Sequence, residues 1–399
     1  FVILPNLYFN EPGTYRIQLK NLSTQEIFTS APIICFQDSS PNLMWGLLHG
    51  ESERIDSEEN IEACLRYFRD DRALNFYATS PFENQENLSP ENWKAISQAV
   101  SDFNEEDRFV TLSGFQFIGE PKHEGIRHIL HIKESKSISK HKDYKHVPLS
   151  KLYKSIPNHE ILSIPCFTAS QHYGYNFENF HPEFERVVEI YNAWGCSETT
   201  AELGNPFPIR GIDTMDPQGT LIEGLKKNLR FGFVAGGFDD RGIYKDFFDS
   251  NQVQYSPGLT AIICTKYSRD SLIEALYQRH CYATTGPRIN LSFNIASVPM
   301  GSELSLGTKP GLMVNRHISG SVAGTALLKS VEIIRNGEVL KTFSPQSNNL
   351  EYEYDDMEPL ASVALEDPQG NAPFVFYYLR VTQVDQAMAW SSPIWIDLH

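Results

Sequence analysis

The chain has 399 residues, 41% of them hydrophobic and 21% charged, a balance that supports a packed core and excludes wholesale disorder. Asp and Glu number 50 against 34 Lys and Arg, a net charge of −16. Such a surface repels phosphate backbones and sets nucleic acid aside as a routine partner. No stretch approaches the roughly 18 uninterrupted apolar residues of a membrane span, so a membrane partner is not expected either.

The first forty residues read as strands. Gly13 to Leu19 alternates with period two, and Ala31 to Phe36 is a short apolar run. From about Trp45 to Gly286, strand-like and helix-like runs alternate. A helix is predicted after Asp56, where Asp56 and Glu59 have capping-box spacing and Ile61, Leu65 and Phe68 share a face. A second starts at Ser89-Pro90-Glu91, a capping residue followed by proline, and turns Trp93, Ile96 and Val100 inward. Strands are predicted at 74–78, 109–117, 126–132, 161–165, 187–191, 231–235 and 259–264, and helices at 221–228 and 269–280. The run from Lys133 to Lys154 holds seven lysines and reads as a solvated loop. This alternation implies a parallel β/α architecture, either barrel or doubly wound.

Past Gly286 the helices stop. Strands are predicted at 289–295, 330–334, 338–343, 350–354, 374–381 and 394–397, with Asn336-Gly337 as a hairpin signal. The expected organisation is therefore N-terminal strands over 1–42, a β/α domain over 43–288, and a C-terminal antiparallel β-sandwich over 289–399 that the N-terminal strands complete. Six cysteines (Cys35, Cys64, Cys166, Cys196, Cys264, Cys281) lie scattered without a C-x-x-C pair. They read as buried thiols of a reducing, cytoplasmic setting. The chain opens at Phe1, so a signal peptide, if there is one, lies upstream.

Three stretches carry a likeness. Trp45-Gly46-Leu47-Leu48-His49-Gly50-Glu51-Ser52 resembles a W-G-D-L-H-G-x-S signature. Tyr282 to Ile289 resembles a Y-A-T-T-G-x-R-I junction, and Tyr377 to Trp395 resembles the closing strands of the same family. That family is the bacterial domain-of-unknown-function 3604 family, related to the polymerase and histidinol phosphatase (PHP) metal-dependent phosphoesterases. The resemblance spans nearly the whole chain. It implies a PHP-like distorted β/α barrel with an attached antiparallel β-sandwich. It also implies His and Asp/Glu ligands at the carboxyl ends of barrel strands, where they hold metal ions that activate water.

Several implied ligands have changed. His49 is kept, and Glu51 falls on the same strand face, but Leu47 stands where the family has aspartate. Thr79-Ser80-Pro81 stands in place of a T-D-H strand end. Gln116 replaces a carboxylate and Ile126 a histidine, with His128 two residues on as a compensating donor. Pro165-Cys166-Phe167 replaces P-H-H. Glu189 and Glu198 match the family's glutamates, and Gly237-Phe238-Asp239-Asp240-Arg241 keeps acids but no histidine. A multinuclear site needs several N/O donors per ion, so these changes argue against one. The donors left for a single Zn, Mn or Fe ion are His49, Glu51, Cys166, Asp240 and His128.

Each residue also has a structural reading. His49 reads as a hydrogen-bonded core histidine, Cys166 as a small buried hydrophobe, and Glu189 as a partner for Arg127, Arg241 or Arg288. Two functional readings follow. The first is a degenerate, non-catalytic PHP-like protein whose barrel mouth binds a ligand or partner. The second is a remodelled single-metal or metal-free hydrolase for a small anionic substrate. There Arg127, Arg241, Arg288 and Gln116 would bind the anion, and Glu189 or Asp239 would act as general base. The second requires these groups to converge on one pocket.

Overall fold

The computed structural model describes residues 7–37, 41–50, 58–81, 90–133, 148–157, 159–209, 215–237 and 255–399. The N-terminal strands are β1 (Gly13–Tyr15), β2 (Gln18–Lys20), β3 (Ile27–Thr29) and β4 (Ile33–Cys35). The α/β portion then runs β5 (Asn42–Leu47), α1 (Glu58–Arg66), β6 (Phe76–Ala78), α2 (Pro90–Asp102), β7 (Val110–Leu112), β8 (Gly114–Ile118), β9 (Ile126–His131), α3 (Leu149–Ser155), β10 (Ile161–Cys166), β11 (Val187–Asn192), β12 (Gly195–Cys196), α4 (Leu221–Lys226), β13 (Gly232–Ala235), β14 (Leu259–Cys264), α5 (Arg269–Tyr277) and β15 (Cys281–Thr284).

The last part is almost all strand: β16 (Asn290–Ile295), β17 (Val298–Pro299), β18 (Glu303–Ser305), β19 (Arg316–Ala323), β20 (Leu328–Arg335), β21 (Glu338–Phe343), β22 (Asn349–Asp356), a short α6 (Leu360–Val363), β23 (Phe374–Gln383), β24 (Met388–Ser391) and β25 (Ile394–Asp397). At the predicted hairpin, Asn336 and Gly337 have φ of 54° and 87°, the positive pair a tight turn between β20 and β21 requires.

The helices form for the reason their spacing gives. Ile61 and Leu65 of α1, followed by Phe68, and Trp93, Ile96 and Val100 of α2 are all buried, so each helix presents one apolar stripe. The capping positions Asp56 and Ser89 lie outside the described residues.

Strand direction departs from the all-parallel expectation. β5, β6 and β7 run parallel, as do β11 and β13. β14 is antiparallel to both β5 and β15, and β8, β9 and β10 form an antiparallel trio. The β8–β9 link is only residues 119–125, too short for the crossover a parallel pair needs. Among the described residues no sheet closes on itself; the architecture is a mixed α/β arrangement of open sheets.

One 11-stranded sheet joins the two halves of the chain. Its path β18-β25-β23-β24-β15-β14-β5-β6-β7 carries C-terminal strands directly into the strands around β5. The core is continuous in the same way, from Trp45 and Tyr282 to Phe293, Val331 and Leu379. The N-terminal strands pair with one another, β1 with β4 and β2 with β3. Side chains tie them to the C-terminal part: an Arg16 amine donates to Gly324 O at 2.6 Å and to Asn349 Oδ1 at 2.9 Å, and Asn290 Nδ2 donates to Pro32 O at 2.9 Å.

Candidate metal centre at the strand ends

Just beyond the end of β5, His49 is buried and its Nδ1 lies 2.9 Å from Oε2 of Glu189 on β11. Asn192, three residues on, donates from Nδ2 to the other carboxylate oxygen at 2.7 Å. The register of β11 against β13 shifts between Glu189 and Tyr191, and that irregularity lets two residues of odd spacing meet. Gly236, after β13, leaves the space this carboxylate fills: a Cβ there would stand 2.0 Å from Glu189 Oε2. Gly237 N donates to His49 O at 2.9 Å and fastens the two strand ends together.

Cys166 ends β10 and completes a compact trio. One donor atom from each of His49, Cys166 and Glu189 lies within 4.8 Å of the others, and all three residues are buried. Burial, then the adjacent Glu189 carboxylate, pushes the Cys166 thiol well above its ordinary pKa, so without a cation the sulfur stays protonated. His128 lies against the cluster, its ring stacked on that of His49 at a centroid distance of 5.4 Å. Its Nε2 lies 3.1 Å from Thr79 O. Burial, then the neighbouring His49, holds His128 well below the usual histidine range, so its imidazole is neutral.

The segment standing in place of T-D-H has become scaffolding. Thr79 O faces His128, Ser80 O accepts from Gln116 Nε2 at 2.7 Å, and Ser80 Oγ donates to Gly50 O at 2.8 Å. Gln116, predicted as a ligand-binding amide, therefore braces this strand end. Gly114 makes room for His128, since a Cβ there would lie 2.4 Å from its Nε2.

The arginines go elsewhere. Arg127 alternates with His128 along β9 and points to the opposite face. There it is fully buried, 3.5 Å from Glu185 and 4.0 Å from the centroid of the Tyr175 ring. Burial works to lower its pKa, but the Glu185 carboxylate and nearby tyrosines raise it above the ordinary value. Arg288 donates to the backbone carbonyls of Arg72 and Ala73, before β6 begins and hence at the end of that strand remote from Thr79. Glu51, Asp239, Asp240 and Arg241 lie outside the described residues.

Glu198, matched to a family glutamate, serves as a link between the two halves. It accepts from Tyr378 Oη at 2.6 Å, Trp390 Nε1 at 2.8 Å and an Arg380 amine at 3.1 Å. Sequence reasoning missed this role, and those of Asn192, Gly236 and Gly114. Except for Asn192, three residues from Glu189, these contacts join residues distant in sequence; Gly236, one of two adjacent glycines at a strand end, left a local trace.

The donor set suits one borderline-soft ion. A tetrahedral zinc with ordinary bond lengths sets N, O and S ligand atoms about 3.3–3.6 Å apart, which fits within the spacing of this trio. A bound divalent ion also deprotonates a coordinating thiol, offsetting what burial does to Cys166. No comparable group of three donors occurs elsewhere among the described residues.

The geometry is a buried His–Cys–Glu cluster at the strand ends of a mixed α/β protein. Residues 237–297 match the model of a family described as a protein of unknown function, DUF3604. An uncharacterized protein of Chlamydia pneumoniae is 80% identical over the full chain, and one of Chlamydia trachomatis serovar D is 69% identical. The chain spans 64% of the length of each. A solved two-domain protein of Bacteroides vulgatus, described as containing a predicted PHP-like metal-dependent phosphoesterase, aligns with 90% of this chain and 96% of its own at 10% identity. The TM-score is 0.42. Among the described residues no helix is long and apolar enough to cross a membrane.

Proposed function

We propose that this chain is a degenerate PHP-like protein of the DUF3604 family, silent as a phosphoesterase, whose former catalytic strand ends hold a single thiolate-bound metal ion, zinc by preference. The domain division at about residues 42 and 288 and a cytoplasmic setting are part of this reading. The observation that carries it is the buried trio of His49, Cys166 and Glu189. A borderline imidazole, a soft thiolate and a hard carboxylate suit zinc better than manganese or magnesium, which favour all-oxygen or mixed N/O sets. When bound, the ion would supply charge and a fixed geometry; His49 and Glu189 would orient each other, and Asn192 would hold the carboxylate.

The hydrolase reading has less support. It needs a phosphate clamp, and Arg127 and Arg288 are committed to Glu185 and to backbone carbonyls. A Cys–His–Glu arrangement also suggests a nucleophilic thiol. Such a thiol must ionise near neutrality, and here burial pushes Cys166 the other way.

The test is metal content of protein purified without a nickel column and offered zinc, manganese and iron in turn, with phosphoester hydrolysis measured on the same samples. One zinc per chain, lost in His49→Ala and Cys166→Ala, with a cobalt-substituted form showing thiolate-to-metal absorption, is expected. Metal-dependent hydrolysis abolished by His49→Ala would overturn the silent-enzyme part. Zinc content unchanged by both substitutions would overturn the site.

A further inference from the structure

The first thirty described residues expose large apolar side chains more densely than the remaining described residues. Among the described residues, seven of the fourteen large apolar side chains left exposed lie between Leu7 and Phe36. They concentrate on the hairpin of β2 and β3, where every residue is exposed. Leu19 pairs directly with Phe28 and so shares its face, while Ile27 sits opposite Lys20 on the other face. Leu22 stands in the connecting turn, 82% exposed. The Leu19–Phe28 face is thus apolar and uncovered, Ile27 adds an exposed apolar side chain to the otherwise polar face of Gln18, Lys20 and Thr29, and neither strand has a second strand partner among the described residues.

A two-stranded ribbon this short does not hold itself together in water, and open apolar strand edges are what proteins ordinarily cover. The root of the ribbon is fixed, since Arg16 and Pro32 bond to Gly324, Asn349 and Asn290 of the C-terminal part. The tip alone stands clear. The two relatives keep 80% and 69% identity across this whole chain, yet it spans only 64% of their length. About a third of each relative therefore lies beyond the matched span.

We propose that the β2–β3 hairpin is a docking arm for the portion of the full-length protein that corresponds to that remaining third. Leu19, Leu22, Ile27 and Phe28 are the contacts it buries. The open backbone edges of β2 and β3 fit a strand added from that portion, so the contact combines main-chain pairing with apolar anchoring.

The experiment is hydrogen–deuterium exchange of the full-length protein beside the 399-residue chain, both at concentrations where they are monomeric. Amides of 18–29 are expected to exchange at least about tenfold more slowly in the full-length protein. The pair Ile27→Asp and Phe28→Asp should return them to the rate of the shorter chain while leaving that chain's own thermal midpoint unchanged. Equal exchange in the two proteins overturns the proposal. So does protection that grows with protein concentration, which would mean a second copy as occupant, and so does protection that requires lipid vesicles.

Discussion

Replacing Gly236 by alanine separates a built site from an incidental cluster, because the two give opposite signs. Gly236 is not among the residues of positive φ, so its backbone accepts alanine. With no clash, the change would stabilise by about 0.4–1 kcal/mol through the unfolded chain. The structure places the new methyl carbon 2.0 Å from Glu189 Oε2 and 2.7 Å from its Cδ, distances no pair of atoms tolerates. Glu189 must rotate, and both its oxygens are engaged, one at 2.9 Å from His49 and one at 2.7 Å from Asn192. Overpacking costs about 1–3 kcal/mol, and leaving a buried polar group without its hydrogen-bond partners about 1–3 kcal/mol. Since partial relaxation keeps the two from adding in full, a loss of about 2–5 kcal/mol is expected. Urea unfolding followed by tryptophan fluorescence reads it as a lowered midpoint with unchanged slope. Gly311→Ala is the control, having nothing within 4 Å of its added carbon. A Gly236→Ala midpoint equal to or above that of the parent would refute the geometry of the Glu189 pocket.

Three further outcomes are expected. Arg127→Met strands the Glu185 carboxylate, buried with Tyr153 and Tyr175, and should cost about 3–5 kcal/mol; the double change with Glu185→Gln should recover much of that, and a double variant no better than the single one would count against the pair. Glu198→Ala leaves the buried hydroxyl of Tyr378 and indole of Trp390 without their acceptor; a loss of about 2–4 kcal/mol is expected in the same urea assay, and less than about 1 kcal/mol would contradict the link between halves. Burial lowers His131 from 6.5 to about 4 and depresses His128 as well. Below pH 6.5 the unfolded chain takes up protons that the folded chain refuses. Stability is therefore full above that pH and declines as pH falls, by on the order of 3 kcal/mol at pH 4 for His131 alone. Urea midpoints flat between pH 7 and 4.5 would disprove it.

Periodicity alone set much of the local structure. The apolar stripes of α1 and α2, the mostly apolar runs of β10, β11 and β14, and the Asn336-Gly337 turn are local patterns whose physics is complete within a few residues. The motifs around His49 and Tyr282 pointed to the family, and the substitutions along them pointed to a depleted ligand set. What the sequence could not carry was direction and face in three dimensions. Whether β8 to β10 pair parallel or antiparallel depends on how short links fold back. Whether Arg127 joins His128 depends on one step of strand alternation, which turns it toward Glu185 instead. Glu198 looked like a ligand and became a bond between halves, because Tyr378, Trp390 and Arg380 reach it from about 180 residues away. The trio of His49, Cys166 and Glu189 likewise exists only once three strand ends meet. The sequence supplied the donors, and the packing of β5, β10 and β11, with room left by Gly236, decided that they face one another.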